Sequence, residues 1–434
     1  MNLEDRFREF LNQLNLQRVH VASGYALDAV TFARAVPDQV ASITLVCPFR
    51  VPAEPFAPFQ DRVLFISGDT GPNASGVARV LEDLPRARSL RLQRYADSAW
   101  ADAIADRRQE IEPALTAFLD AIANVPDARL DHASGEIAGI TYQAAGSGPP
   151  LLLLPLGLAR SQWDPIVDAL SQRWTTIVLG GANLGFVPTL EARMRGGYQN
   201  VVRNVVDAAK PRSGERIVEI GCGSGAVIRW LAQYTRGDNP LTAVDVNAYL
   251  LREAATQARS EGLADRITFE HGDAETLPLP SEGFDVTLSF TVMEELDADR
   301  MMAELVRVTR PGGRIGVVVR ATDMQAWLNL DLPPEVQRAV EAVPGAGAEE
   351  HGCADRSLYR RFVEAGLQDL VMGPQFGPDA AQHSPERLRL FSARIAQGLP
   401  AEESRQFRER VRQAVQEDTM VWAEPYHCAV GRKP

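Results

Sequence analysis

The chain has 434 residues, 45% of them hydrophobic and 24% charged, which is enough apolar material for more than one folded core. Its net charge of −12, with no Lys/Arg run interleaved with aromatics, argues against a phosphate backbone as partner, and no apolar stretch is long enough to span a bilayer. Cys47, Cys222, Cys353 and Cys428 lack Cys-x-x-Cys spacing and the first residues show no leader pattern, so the expectation is a cytoplasmic protein without structural zinc or disulfides, acting on neither nucleic acid nor membrane.

The N-terminal part alternates strands (Val19–Ala22, Ser42–Cys47, Arg62–Ser67, Ser89–Gln93) with helical stretches, which predicts a parallel α/β sheet. Further strands are read from Ile140–Pro155 and Trp174–Leu179. Together these pieces resemble an α/β-hydrolase whose halves, 1–123 and 136–190, stand in swapped order across a linker at about 124–135. The resemblance implies one permuted eight-stranded domain over 1–190. It also implies lost chemistry, because Tyr25, Gly71 and Asp97 fall where nucleophile, acid and histidine are required. Ser23 is the one residual nucleophile, with only His20 and His132 as distant bases. A scaffold that buttresses the second domain, or mediates a homodimer, is the expected role.

A second region opens at Arg216-Ile-Val-Glu-Ile-Gly-Cys-Gly-Ser-Gly225, which reads as strand, tight loop and helix start. Gly221, Gly223 and Gly225 let the backbone approach a ligand at a helix N-terminus. The same spacing fits a nicotinamide or flavin site through Ala226. Glu219 separates the two readings, since an acid at the strand end repels pyrophosphate and suits a ligand with an ammonium group, as S-adenosylmethionine has. Asp245 closes the next strand, with Val246 after it, and is placed to accept from ribose hydroxyls. Asp273, after the strand Arg266–Glu270, can accept from an adenine amine.

These motifs, with Gly272-Asp-Ala-Glu-Thr-Leu-Pro-Leu-Pro280, Phe284–Phe290 and Glu304–Ile315, resemble class I S-adenosylmethionine-dependent methyltransferases of the ubiquinone-biosynthesis (Methyltransf_11/25) type over 195–434. The resemblance implies a Rossmann-like seven-stranded sheet whose last strand is antiparallel, with S-adenosyl-L-methionine as cofactor and S-adenosyl-L-homocysteine as product. It assigns Glu219 and the glycines to the methionine end, Asp245 to the ribose, Asp273 with Ala274 to the adenine, and Phe290 to Met293 to the surroundings of the reacting centre. Tyr198, ahead of the first strand, is a further candidate cofactor contact. Where many members carry Glu-His, this chain has Glu294-Glu295, and Glu295 is either a general base or an ordinary helix-start acid.

An insertion at about 321–423, with helices near Leu332–Val340 and Pro385–Phe391, is expected to form a lid on the acceptor side. Met293, Glu294, His351, Tyr359, Trp422, Tyr426 and His427 are the residues put forward to line that pocket. His351 and Cys353 alone do not make a metal site. The expected activity is methyl transfer to a small-molecule acceptor of specialised metabolism. The alternatives are a cofactor-binding protein without transfer, or a residual hydrolase.

Overall fold

In the first unit, β-branched and apolar runs form β1 (Val19–Ser23), β2 (Val40–Val46), β3 (Val63–Thr70), β4 (Arg88–Ala96), β5 (Ser134–Ile137), β6 (Ile140–Ala145), β7 (Pro150–Leu153) and β8 (Thr175–Gly180) of a computed structural model. The structure describes residues 3–48, 51–96, 101–181, 184–237, 239–343 and 348–434. The chain divides into two units, Met1–Thr189 and Leu190–Pro434.

All eight strands of the first unit lie in one sheet of order β4-β3-β2-β1-β7-β8-β6-β5. The first six in that order run parallel, whereas β6 is antiparallel to β8 and to β5. The two segments therefore meet where β1 pairs with β7, from His20–Leu151 to Ala22–Leu153. Strand β5 starts inside the stretch read as linker. Its four residues are exposed or half-buried, so it has no apolar face for a sequence reading to find. Strand β7 is buried throughout because helices cover both sheet faces: Leu152 packs with Phe7, Phe10 and Phe32, and Leu151 and Leu153 with Phe118, Trp163 and Ile166.

At the turn after β1 the Ser23 hydroxyl donates to the Pro155 carbonyl at 3.1 Å. The His20 ring is committed elsewhere, 2.8 Å from Ser42 Oγ, and burial with the nearby Arg18 charge lowers its pKa to about 4. Gly71 (φ +93°) precedes the helix Pro72–Asp83, while Asp97 lies outside the described residues. No Ser–His–acid triad is assembled among the described residues.

The second unit contains β9 (Ile217–Ile220), β10 (Leu241–Asp245), β11 (Ile267–His271), β12 (Phe284–Phe290), β13 (Thr309–Arg320), β14 (Trp327–Leu328), β15 (Gln368–Ala380) and β16 (Val421–Arg432). The sheet order is β11-β10-β9-β12-β13-β16-β14, with β15 also paired to β16. Strands β9 to β13 are parallel and β16 runs antiparallel to β13 and β15, so the reversed final strand is where the sequence reading expects it. This is a Rossmann-like sheet. Strand β15 runs on to Ala380, well past the predicted end at Met372, because residues 376 to 380 keep pairing with 421 to 425.

The insertion contributes the helices Pro334–Glu341, Ser357–Glu364, Pro385–Gln397 and Ala401–Gln416. Three of them share a separate apolar core of Val336, Phe391, Phe407 and Trp422. The extended end of β15 fastens this layer. The buried Asp379 carboxylate pairs with Arg387 and accepts the Gly197 amide at the start of the helix Gly197–Ala209, and Arg387 also reaches Glu424 at 2.6 Å. Gly196 and Gly197 permit the approach, since a Cβ on either would strike Asp379 or Pro378.

Replacing Asp379 by Ala removes one of the two carboxylates on the buried Arg387 guanidinium and orphans a helix-start amide. The expected cost is about 3 kcal/mol, read as a lower urea midpoint for the second unit. In the first unit, the absence of a base beside Ser23 among the described residues predicts no covalent labelling by a fluorophosphonate. Labelling abolished by Ser23→Ala would restore the hydrolase reading.

Candidate active site

After Ile220 the chain turns through Gly221 (φ +77°), Gly223 (φ +54°) and Gly225 (φ +77°) into the helix Ala226–Tyr234. Side chains are excluded twice over. A Cβ on Gly221 would strike Val292, and one on Gly225 would stand 2.9 Å from Ala254 Cβ. The loop is tied to the end of β10, where Asp245 Oδ2 accepts from the Gly223 amide at 2.7 Å and Oδ1 from the Asn247 amide at 2.9 Å. Each oxygen keeps lone-pair capacity for a ligand hydroxyl. Beneath the loop, Arg229 is held by Glu191 at 2.5 Å and Glu261 at 2.9 Å.

Glu219 points its carboxylate into this loop from β9. It is only 2% exposed, accepts the Ile228 amide, and has no hydrogen-bond partner at Oε2. Burial, and then the like charge of Asp245, hold its pKa well above the usual carboxylate range. Arg229, the cation within electrostatic reach, is already bound to two other carboxylates. A half-satisfied buried acid beside a second acid repels phosphate and gains from a cationic ligand.

Asp273 is exposed at the end of β11, its Oδ1 accepting from the Glu275 amide at 2.8 Å, with Ala274 buried beside it. Val246 is 63% exposed next to Asp245. Phe290 ends β12 in the core. Glu219, Asp245, Asp273 and Phe290 thus stand at the carboxyl ends of four neighbouring strands, where open α/β sheets bind ligands.

Past Phe290, Thr291 adopts φ +58°, an outlier for a β-branched residue. Its amide donates to the Val318 carbonyl at 2.7 Å, and its hydroxyl accepts from Arg193 at 2.9 Å. The Arg193 guanidinium stacks 3.9 Å above the Tyr198 ring, whose hydroxyl lies 3.5 Å from Thr291 Oγ1 and whose face meets Tyr426 at 5.1 Å. Tyr198 and Tyr426 are therefore brought together beside the strained turn. Thr291 falls within the span that the sequence reading sets around the reacting centre, whereas Arg193 carries no motif and escaped it.

The acid pair separates. Glu294 is 1% exposed, with Oε1 accepting the Arg320 amide at 2.7 Å and Oε2 unpartnered. Glu295 offers more of its surface to solvent, yet burial raises its pKa as well, as the general-base reading of it requires. Met293 is wholly buried and its carbonyl accepts the Cys353 amide at 2.8 Å.

The remaining pocket candidates are placed differently from the expectation. His351 is exposed. Trp422 stacks on Phe391 inside the lid core at 5.7 Å. His427 points to the sheet face opposite Tyr426, its ring bridging Tyr359 Oη and Asp323 Oδ1, each at 2.7 Å. The His427 and Tyr359 side chains satisfy each other and tie the 350s segment to β16.

A family profile described as a methyltransferase domain matches residues 217–313. Methyltransferase GfsG of Streptomyces halstedii is 37% identical over 25% of this chain and 40% of its own length. A 27-O-demethylrifamycin SV methyltransferase of Amycolatopsis mediterranei is 28% identical over 51% of this chain and 76% of its own. The ubiquinone/menaquinone biosynthesis C-methyltransferase UbiE of Hahella chejuensis is 31% identical over 27% and 47%. The chain thus spans less than half the length of two of these three relatives. The glycine loop, the acids closing β9 to β11 and the reversed final strand all lie in one Rossmann-like sheet, whose part from 217 to 313 is the stretch that matches the methyltransferase domain profile.

Proposed function

We propose that the chain transfers a methyl group from S-adenosylmethionine to a hydroxyl-bearing small molecule. The observation that carries the cofactor is the unpartnered Oε2 of Glu219, which a ligand ammonium would satisfy. Gly221 to Gly225 would admit the methionine end, Asp245 the ribose and Asp273 with Ala274 the adenine. The cofactor supplies an electrophilic methyl on a sulfonium, so the residues around Thr291 need only hold an acceptor in line and keep water out. A hydroxyl acceptor is supported by the rifamycin-type relative, named for an O-demethylated substrate. A place in specialised metabolism belongs to the same reading.

For the first unit the reading is a scaffold related to α/β-hydrolases by permutation. It is supported by parallel strands flanked on one edge by antiparallel β6 and β5, and by the jump in chain order where β1 pairs parallel with β7. A homodimer through this unit is part of the proposal. Among the described residues no helix is long and apolar enough to cross a membrane.

Calorimetric titration with S-adenosylmethionine and S-adenosylhomocysteine tests the reading. Asp245→Ala should weaken binding at least tenfold, because it frees the loop amide as well as the ribose site; unchanged affinity would remove Asp245 from the pocket. A folded wild-type chain that binds neither compound would end the methyltransferase reading.

Glu219 gives the binding a pH dependence of predictable sign. A cationic ligand needs the ionised carboxylate, whose pKa in the empty site is raised. Affinity should therefore fall as pH drops through that raised pKa, above the range where exposed carboxylates titrate. Glu219→Gln should bind weakly with that slope gone, and a slope retained in the variant would assign it to another group.

A further inference from the structure

Among the described residues of the second unit, two carboxylate oxygens are buried without a hydrogen-bond partner, Glu219 Oε2 and Glu294 Oε2. They belong to neighbouring parallel strands, Glu219 on β9 and Glu294 four residues past the end of β12. Leaving such an atom unpaired is costly, so each marks a place where a ligand atom completes the structure. The cofactor accounts for the first. No described residue is paired with the second.

We infer that Glu294 is the residue that accepts the acceptor's hydroxyl proton, and that the acceptor is bound as a neutral phenol or enol rather than as an anion. This rests on the methyltransferase reading above. In the step it performs, the acceptor O–H bond breaks, the proton passes to Glu294 Oε2, and the electron pair stays on the acceptor oxygen as its nucleophile.

Three features support the assignment. The other oxygen of Glu294 is fixed by the Arg320 amide at 2.7 Å, so the carboxylate has one orientation and presents Oε2 alone. The segment bearing it is clamped, the Glu294 carbonyl accepting the Glu349 amide at 2.9 Å and the Met293 carbonyl that of Cys353 at 2.8 Å. Its setting is that of a usable base. Burial raises its pKa, while Arg320, with a guanidinium nitrogen 3.8 Å away, and Arg193 favour the ionised form. Tyr198 completes the charged or titratable surroundings from the helix Gly197–Ala209, and Glu295 from the same turn. The oxygen is covered in the ligand-free chain, so an acceptor must displace a neighbour to reach it, as the cofactor must at Glu219.

The test uses the full chain saturated with S-adenosylhomocysteine and titrated calorimetrically with 4-nitrophenol across the pH range in which that phenol ionises. Saturation itself checks the cofactor reading separately. Glu294 favours the neutral phenol and repels the phenolate, so wild-type affinity should fall about tenfold or more as pH rises. In Glu294→Gln, whose amide oxygen can still accept from Arg320, affinity should stay level or rise, because Arg193 and Arg320 then face a phenolate with no carboxylate between. Arg193→Gln leaves the carboxylate in place and should steepen the wild-type fall, which keeps the proposal testable if the Gln variant does not fold. Parallel profiles for wild type and Glu294→Gln, or a fall unchanged in Arg193→Gln when the Gln variant is unfolded, would overturn the role of Glu294. A cofactor-bound wild type that takes up no 4-nitrophenol would overturn the phenol class.

Discussion

The second unit is organised around two carboxylates that stand close together at the ends of β9 and β10. The charge of Asp245 adds to the burial that penalises ionised Glu219, and the fold offsets this by giving Asp245 the amides of Gly223 and Asn247 and Glu219 that of Ile228. The amide of Gly223 can reach Asp245 only if the loop takes three positive-φ turns, which is why glycine stands at all three positions. The loop conformation, the exposure of helix-start donors and the excess negative charge are thus one constraint. A cation relieves the charge and would leave the rest of the loop unchanged.

The region past β12 is built on a different principle, with cations and aromatics set around the buried Glu294. Thr291 stores backbone strain at the end of β12, and that strain is stabilised by a bond to β13 and by the Arg193 donor. The positive φ at Thr291 redirects the chain so that Glu294 turns inward and Glu295 outward. One wall of this region comes from the helix Gly197–Ala209, whose first amide is held by Asp379 on β15. Disturbing the Asp379–Arg387 pair would therefore reach the site through Tyr198 as well as the fold.

Much of this unit is legible in the sequence because it is local. Strand, glycine loop and helix follow one another within ten residues, and an acid at the end of a β-branched run reports its own position. Alternation along β16 was legible too: a period of two sends Tyr426 and His427 to opposite faces, so the two could never have lined one pocket. What the sequence withheld depends on contacts made across long separations. No local pattern distinguishes Glu294 from Glu295, because the difference lies in one strained dihedral and in an amide on another strand. The pairing of Asp379 with Gly197 joins residues far apart in the chain, and β5 has too little apolar character to announce itself.

A methyltransferase that works on already ionised acceptors needs no base. Holding a carboxylate at 1% exposure with one oxygen unpaired is costly, and a fold has no reason to keep that cost unless the oxygen is used. Arg320 could have neutralised Glu294 with a close bidentate contact, yet its guanidinium stands 3.8 Å away and only its backbone amide is engaged. The geometry therefore keeps the carboxylate ionisable and its second oxygen available, the combination that proton removal from a weakly acidic hydroxyl demands.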